Sequence, residues 1–178
     1  MSADAAPQDG TRTIASLVNT LAGLLRSSPA LSQADIAGLR RMDPRRPAAA
    51  FFKIEGLALD PHLPGDAARR AEMETRWAVV VLGLAHMGDL HQPERRLGHA
   101  LVDAGFSELR FARLLQADTD QLIDELPLLA RFLAAKGMPA DWAAAARLML
   151  SAGRADEDDT RRHLARDYYG TLARAENA

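Results

Sequence analysis

The chain has 178 residues, no cysteine, 26% charged residues and a net charge of −2. That length suits one domain, or one compact two-lobed unit, able to bury its own core. The lack of cysteine excludes disulfides and thiolate metal sites and fits a reducing, cytoplasmic setting, and the charge balance speaks against a protein that coats nucleic acid indiscriminately.

In chain order, residues 1–12 carry no apolar periodicity and no signal-peptide pattern, and are expected to be a flexible arm ahead of a helical domain over 13–178. Ile14, Leu17, Val18, Leu21, Leu24 and Leu25 recur at i, i+3, i+4, i+7 and predict an amphipathic helix that Pro29 ends. Ser32 is placed to cap a second helix, with Leu31 and Ile36 as a hydrophobic staple, stopping before Pro44. Pro47 fits the first turn of a third, which carries Phe51, Phe52 and Ile54. Residues 60–66, with two prolines and a glycine, read as a loop.

Asp66 caps the next predicted helix, which runs to about Met87. Trp77, Val80, Val81 and Leu84 share one face while Val79 and Leu82 lie on the other, as expected of a central buried helix. Any division into two lobes falls at the break over residues 88–93. Pro93 is expected to open a helix closed by Gly105, and Ser107 to cap the next. A longer helix from about Asp120 should kink at Pro127 and end at Gly137. Two more follow, from near Asp141 to Gly153 and from the acidic residues 156–159 to about Ala175. With no alternating strand pattern, the fold class is all-α, a compact bundle of about eight helices.

Chemistry-bearing motifs are missing. The five histidines show no metal-ligand spacing, no phosphate loop or nucleophile elbow occurs, and Asp118 and Asp120 sit where helix capping explains them. The reading is a non-enzyme without metal or cofactor. What stands out is arginine: apart from Lys53 and Lys136, every basic residue is one. Arginine forks onto phosphate and stacks on bases better than lysine does, although a GC-rich coding bias would leave the same ratio.

Three basic stretches are candidate nucleic-acid contacts. Arg40, Arg41, Arg45, Arg46 and Lys53 surround a helix junction with Asp43 as the opposing charge. Arg110 and Arg113 flank an apolar face made by Phe111, Leu114 and Leu115. Arg162 and Arg166 lie with Tyr169 opposite the apolar stripe Leu164, Tyr168 and Leu172, where they could stack on unpaired bases. The competing structural reading there pairs Arg162 with Asp158 and packs Tyr169. Arg69, Arg70, Arg95 and Arg96 read as solvated surface.

The segments LRR (39–41), LGHALVDAGF (97–106), SELRFARLL (107–115), Asp141–Trp142 and RDYY (166–169) occur in an order that resembles the CasB family, the small subunit of the type I-E CRISPR Cascade complex. The resemblance spans roughly residues 14–172. It implies a helical, non-catalytic subunit of an antiviral defence complex. Its expected partners are the backbone and large subunits, crRNA and target DNA including the displaced strand, with a homodimer in the complex and no membrane. It implies R-loop stabilisation in which guide pairing reads sequence and the protein reads charge and backbone shape, with Arg40, Arg41, Arg110 and Arg113 matching the basic motifs. A free-standing helical DNA-binding regulator and a protein-interaction adaptor remain the alternatives.

Overall fold

The structure, a computed structural model, describes residues 7–177. Nine α-helices follow one another in this range: α1 (Pro7–Ser27), α2 (Gln33–Arg40), α3 (Ala49–Ile54), α4 (Ala67–Met87), α5 (Leu97–Asp103), α6 (Glu108–Gln116), α7 (Thr119–Ala135), α8 (Trp142–Ser151) and α9 (Glu157–Glu176). No strand is formed among the described residues, so the all-α class holds. Of the expected arm, residues 1–6 lie outside the described residues, and α1 begins at Pro7.

The core is built around α4. Residues Trp77 to Ala85 of this helix are buried without interruption, as an all-round apolar helix must be. It packs against α1, α2, α7 and α8. The fit with α8 depends on Gly83: the Trp142 indole occupies the space a Cβ would take, and its Nε1–H donates to Val80 O at 3.1 Å. A second close approach joins α5 to α9, where a Cβ on Gly98 would come within 2.6 Å of the Tyr168 amide nitrogen.

Local chemistry sets the ends of the elements. Ser32 and Asp35 form a reciprocal capping box on α2, and Asp118 and Gln121 do the same on α7. Gly105, at φ 74°, lets the amides of Gly105 and Phe106 return to Val102 O and Leu101 O, and Gly137 closes α7 in the same way. Ser107 holds the N-cap position of α6, but its hydroxyl makes no capping bond. α7 continues unbroken through Pro127, which is buried.

Three boundaries differ from the sequence expectations. α3 starts at Ala49, two residues beyond Pro47, and passes into a π-helical turn, Glu55–Leu59, that no periodicity announced. Residues 60–62, expected as loop, form a 3₁₀ turn that continues it. α5 begins at Leu97 rather than Pro93, because Gln92 and Arg95 are held by main-chain bonds to Ala140 and Asp141 at the start of α8. Near the same place, at residues 88–93, the His91 ring bonds Asn19 of α1 and the amide of Trp142.

Candidate nucleic-acid interface

The first basic stretch lies between α2 and α3. Arg40 ends α2 and turns back onto α4, where its Nε donates to Ala85 O at 2.7 Å. That carbonyl is one of those left without an intrahelical partner at the end of α4, so Arg40 is a C-cap as well as a surface cation. Arg41 and Arg46 are exposed, with no side-chain bond or ion pair among the described residues. Arg45 instead reaches α7. Its Nη1 is 2.7 Å from Asp124 Oδ1, its Nη2 donates to Asp120 O, and the Asp124 carboxylate pushes its pKa up. Lys53 of α3 is bound to both oxygens of Asp35 at 2.9 Å. That contact, together with the Ser32 cap, lowers the Asp35 carboxyl to about 2.

The second stretch is α6. Phe111 and Leu114 are buried as its pattern requires, and Phe111 stacks on Tyr168 of α9 with ring centroids 3.8 Å apart. This fixes the helix. Arg110 projects over the Phe106 ring, 4.5 Å from its centroid, and over Phe132 of α7 at 5.3 Å. Cation–π seating of this kind orients a guanidinium without neutralising it. Arg113 is exposed and lines a shallow depression with Gln116, Gln121 and Glu125, without an ion pair among the described residues.

The third stretch, on α9, follows the structural reading more closely than the binding one. Arg162 pairs with Asp159 at 3.7 Å, and not with the expected Asp158. Tyr169, expected opposite the buried stripe, is half-buried edge-on to Phe111 and Tyr168. Arg166 is exposed, with no ion pair among the described residues.

α7 is the common neighbour of several of these groups. Arg45 meets it at Asp120 and Asp124, Arg110 at Phe132, and Arg113 beside Gln121 and Glu125. α7 also contributes Arg131, absent from the sequence candidates, whose Nε contacts His86 Nε2 at 3.3 Å. No clustering in sequence could have flagged Arg131, because its partner lies 45 residues away on α4. Lys53, Arg162 and Arg166 do not meet α7 by any bond, ion pair or ring contact.

Of the arginines read as solvated surface, Arg70 is only partly exposed, held by Glu55, Asp60 and Glu74 across the π-helical turn, while Arg96 is exposed as expected and pairs with Asp167 of α9 at 3.1 Å. Arg76 is buried and caps α8 through Met149 O and Ala152 O, and Arg161 caps α6 through Leu115 O and Ala117 O. The described residues hold no group of histidines and carboxylates fit to bind a metal, and no helix among them is long and apolar enough to cross a membrane.

Fold and site together define an all-helical protein that presents arginines fixed at their bases by helix-capping, ring and packing contacts. Residues 35–169, most of the chain, match the model of the CRISPR-associated protein Cse2 family. The chain belongs to that family, the small subunits (CasB) of type I-E Cascade. Searches of curated proteins and of solved structures return no match.

Proposed function

We propose that the chain acts without catalysis, in the cytoplasm, as the nucleic-acid-holding brace of its complex. It docks as a pair on the backbone and large subunits, contacts crRNA and target DNA, and steadies the displaced strand once the guide has paired. The observation that carries this reading concerns the four arginines matching the family's motifs. Arg40, Arg41, Arg110 and Arg113 are all exposed, and none is held by a carboxylate among the described residues. Three of the remaining candidates, Arg45, Lys53 and Arg162, are in ion pairs, so the contacts are assigned first to the motif arginines and then to Arg46 and Arg166. An exposed guanidinium that no carboxylate neutralises retains its full charge for a phosphate.

The test is Arg110→Ala combined with Arg113→Ala in a reconstituted complex. Both side chains are exposed, so the thermal midpoint of the isolated variant should stay close to the parent's. Target-DNA retention should weaken, and the slope of log K against log salt should fall by about 1.4–1.8 for two lost phosphate contacts. Unchanged retention across the titration would remove these arginines from the contact surface.

A further inference from the structure

At the carboxyl end of α4 two guanidinium groups converge, and neither meets a carboxylate among the described residues. Arg40 is anchored by its Nε on Ala85 O, and Arg131 by its Nε on His86 Nε2. Bonding through Nε fixes the plane of a guanidinium and leaves its forked end free. The Nη1 and Nη2 atoms of both residues have no protein partner among the described residues. Elsewhere, exposed guanidinium groups of this chain take carboxylates readily, as Arg45, Arg96 and Arg162 do.

His86 stands between them, half-buried. It accepts the Arg131 Nε–H on Nε2, so the neutral ring carries its proton on Nδ1. Burial first, then the charges of Arg131 and Arg40, hold its pKa below 6.5. Those two arginines, from α7 and α2, are the charged groups acting on the ring. Asp89 follows in the turn after α4 and takes no part in an ion pair among the described residues, and Asp124, two turns earlier on the same face of α7, is occupied by Arg45.

We infer that Arg40, Arg131 and His86 form a phosphodiester-binding site that takes up a proton when it is occupied. The inference rests on the nucleic-acid reading above and deepens it. The non-bridging oxygens of one phosphate accept from the two forks, and the anion offsets the repulsion that keeps the ring neutral. A proton from solvent then settles on Nε2, Arg131 Nε shifts its bond to the phosphate, and the imidazolium becomes a further donor. Occupancy therefore raises the His86 pKa. Affinity is greatest below the pKa of the free site and falls as pH rises through that of the occupied site.

The experiment uses the assembled complex with crRNA and target DNA, comparing the parent, Arg131→Gln and His86→Gln between pH 5.5 and 8. For the parent, a one-unit rise in the His86 pKa makes DNA retention tighter at the acid end, by up to about tenfold once the pH is well below the pKa of the free site. His86→Gln, which keeps an acceptor for Arg131, should match the parent at pH 8 and lose that difference. Arg131→Gln should weaken retention at every pH and lower the salt slope by about 0.7–0.9, one contact's worth. Should it fail to assemble, Arg131→Met, which keeps the apolar stem but removes the charge, carries the same test. A pH difference that survives in His86→Gln, or an unchanged salt slope in the Arg131 variants, overturns the site. If Arg110→Ala with Arg113→Ala weakens retention while these variants do not, the site alone is wrong. If none of the variants affects it, the broader reading falls as well.

Discussion

His91 shows how one side chain can tie three segments and carry a pH dependence. The Trp142 amide can only donate, so His91 Nδ1 must accept and Nε2–H must donate to Asn19 Oδ1. Protonation would place a hydrogen on Nδ1 and break the bond to α8, and burial accordingly holds the pKa below 6.5. The folded value lies below the unfolded one, so the stabilisation is present above pH 6.5 and is lost as pH falls below it. Urea unfolding of the isolated chain between pH 7.5 and pH 5 should show decreasing stability, and His91→Gln should flatten part of that fall. A parent curve that is level across this window would contradict the tautomer assigned here. In the sequence this histidine looked like a loop residue near a break, because both of its partners are remote: Asn19 lies 72 residues away and Trp142 lies 51.

At the scale of elements, a recurring device is arginine at the end of a neighbouring helix. Arg40, Arg76 and Arg161 close α4, α8 and α6 respectively, where unpaired carbonyls and the helix dipole both favour a cation. Arg76 is the buried case. It bonds Met149 O at 2.9 Å and Ala152 O at 2.7 Å, with Glu72 2.7 Å from its Nη2. Arg76→Met keeps the apolar stem but orphans two carbonyls, and should cost about 2–4 kcal/mol in chemical denaturation. A loss below about 0.5 kcal/mol would mean that solvent reaches those carbonyls. Helices, caps and the central position of α4 were legible because apolar periodicity and capping residues are local signals. Which arginines cap and which remain available was not, since Arg40, Arg45 and Arg76 look alike until α4, α7 and α8 are set beside them. Tyr169 likewise falls on an open flank of α9 by helical geometry, and only the arrival of Phe111 half-buries it.

For the whole molecule, a net charge of −2 has to be reconciled with a proposed grip on nucleic acid. α7 offers a way, because its charge is polarised along its length: Asp120, Asp124 and Glu125 lie in its first half, and Arg131 follows in the second. Arg45 is neutralised at the acidic end by Asp120 and Asp124. Those carboxylates stand roughly 10–17 Å along the helix from Arg131, within the Debye length of about 30 Å at 0.01 M salt and largely screened at 0.1 M. On the proposed reading they lower the local potential, so the free subunit is expected to bind weakly and the docked complex to supply the remaining charge. Asp120→Asn combined with Asp124→Asn releases Arg45 and leaves the Asp118 cap intact. The assembled variant complex should hold target DNA more tightly at low salt, with the salt slope steeper by about 0.7–0.9 if Arg45 gains one phosphate contact. The difference should vanish near 1 M salt, where the Debye length shrinks to about 3 Å. Equal retention at low salt would mean that the α7 side of the molecule does not face nucleic acid, and the arginines gathered around it would then have to be read as partner contacts.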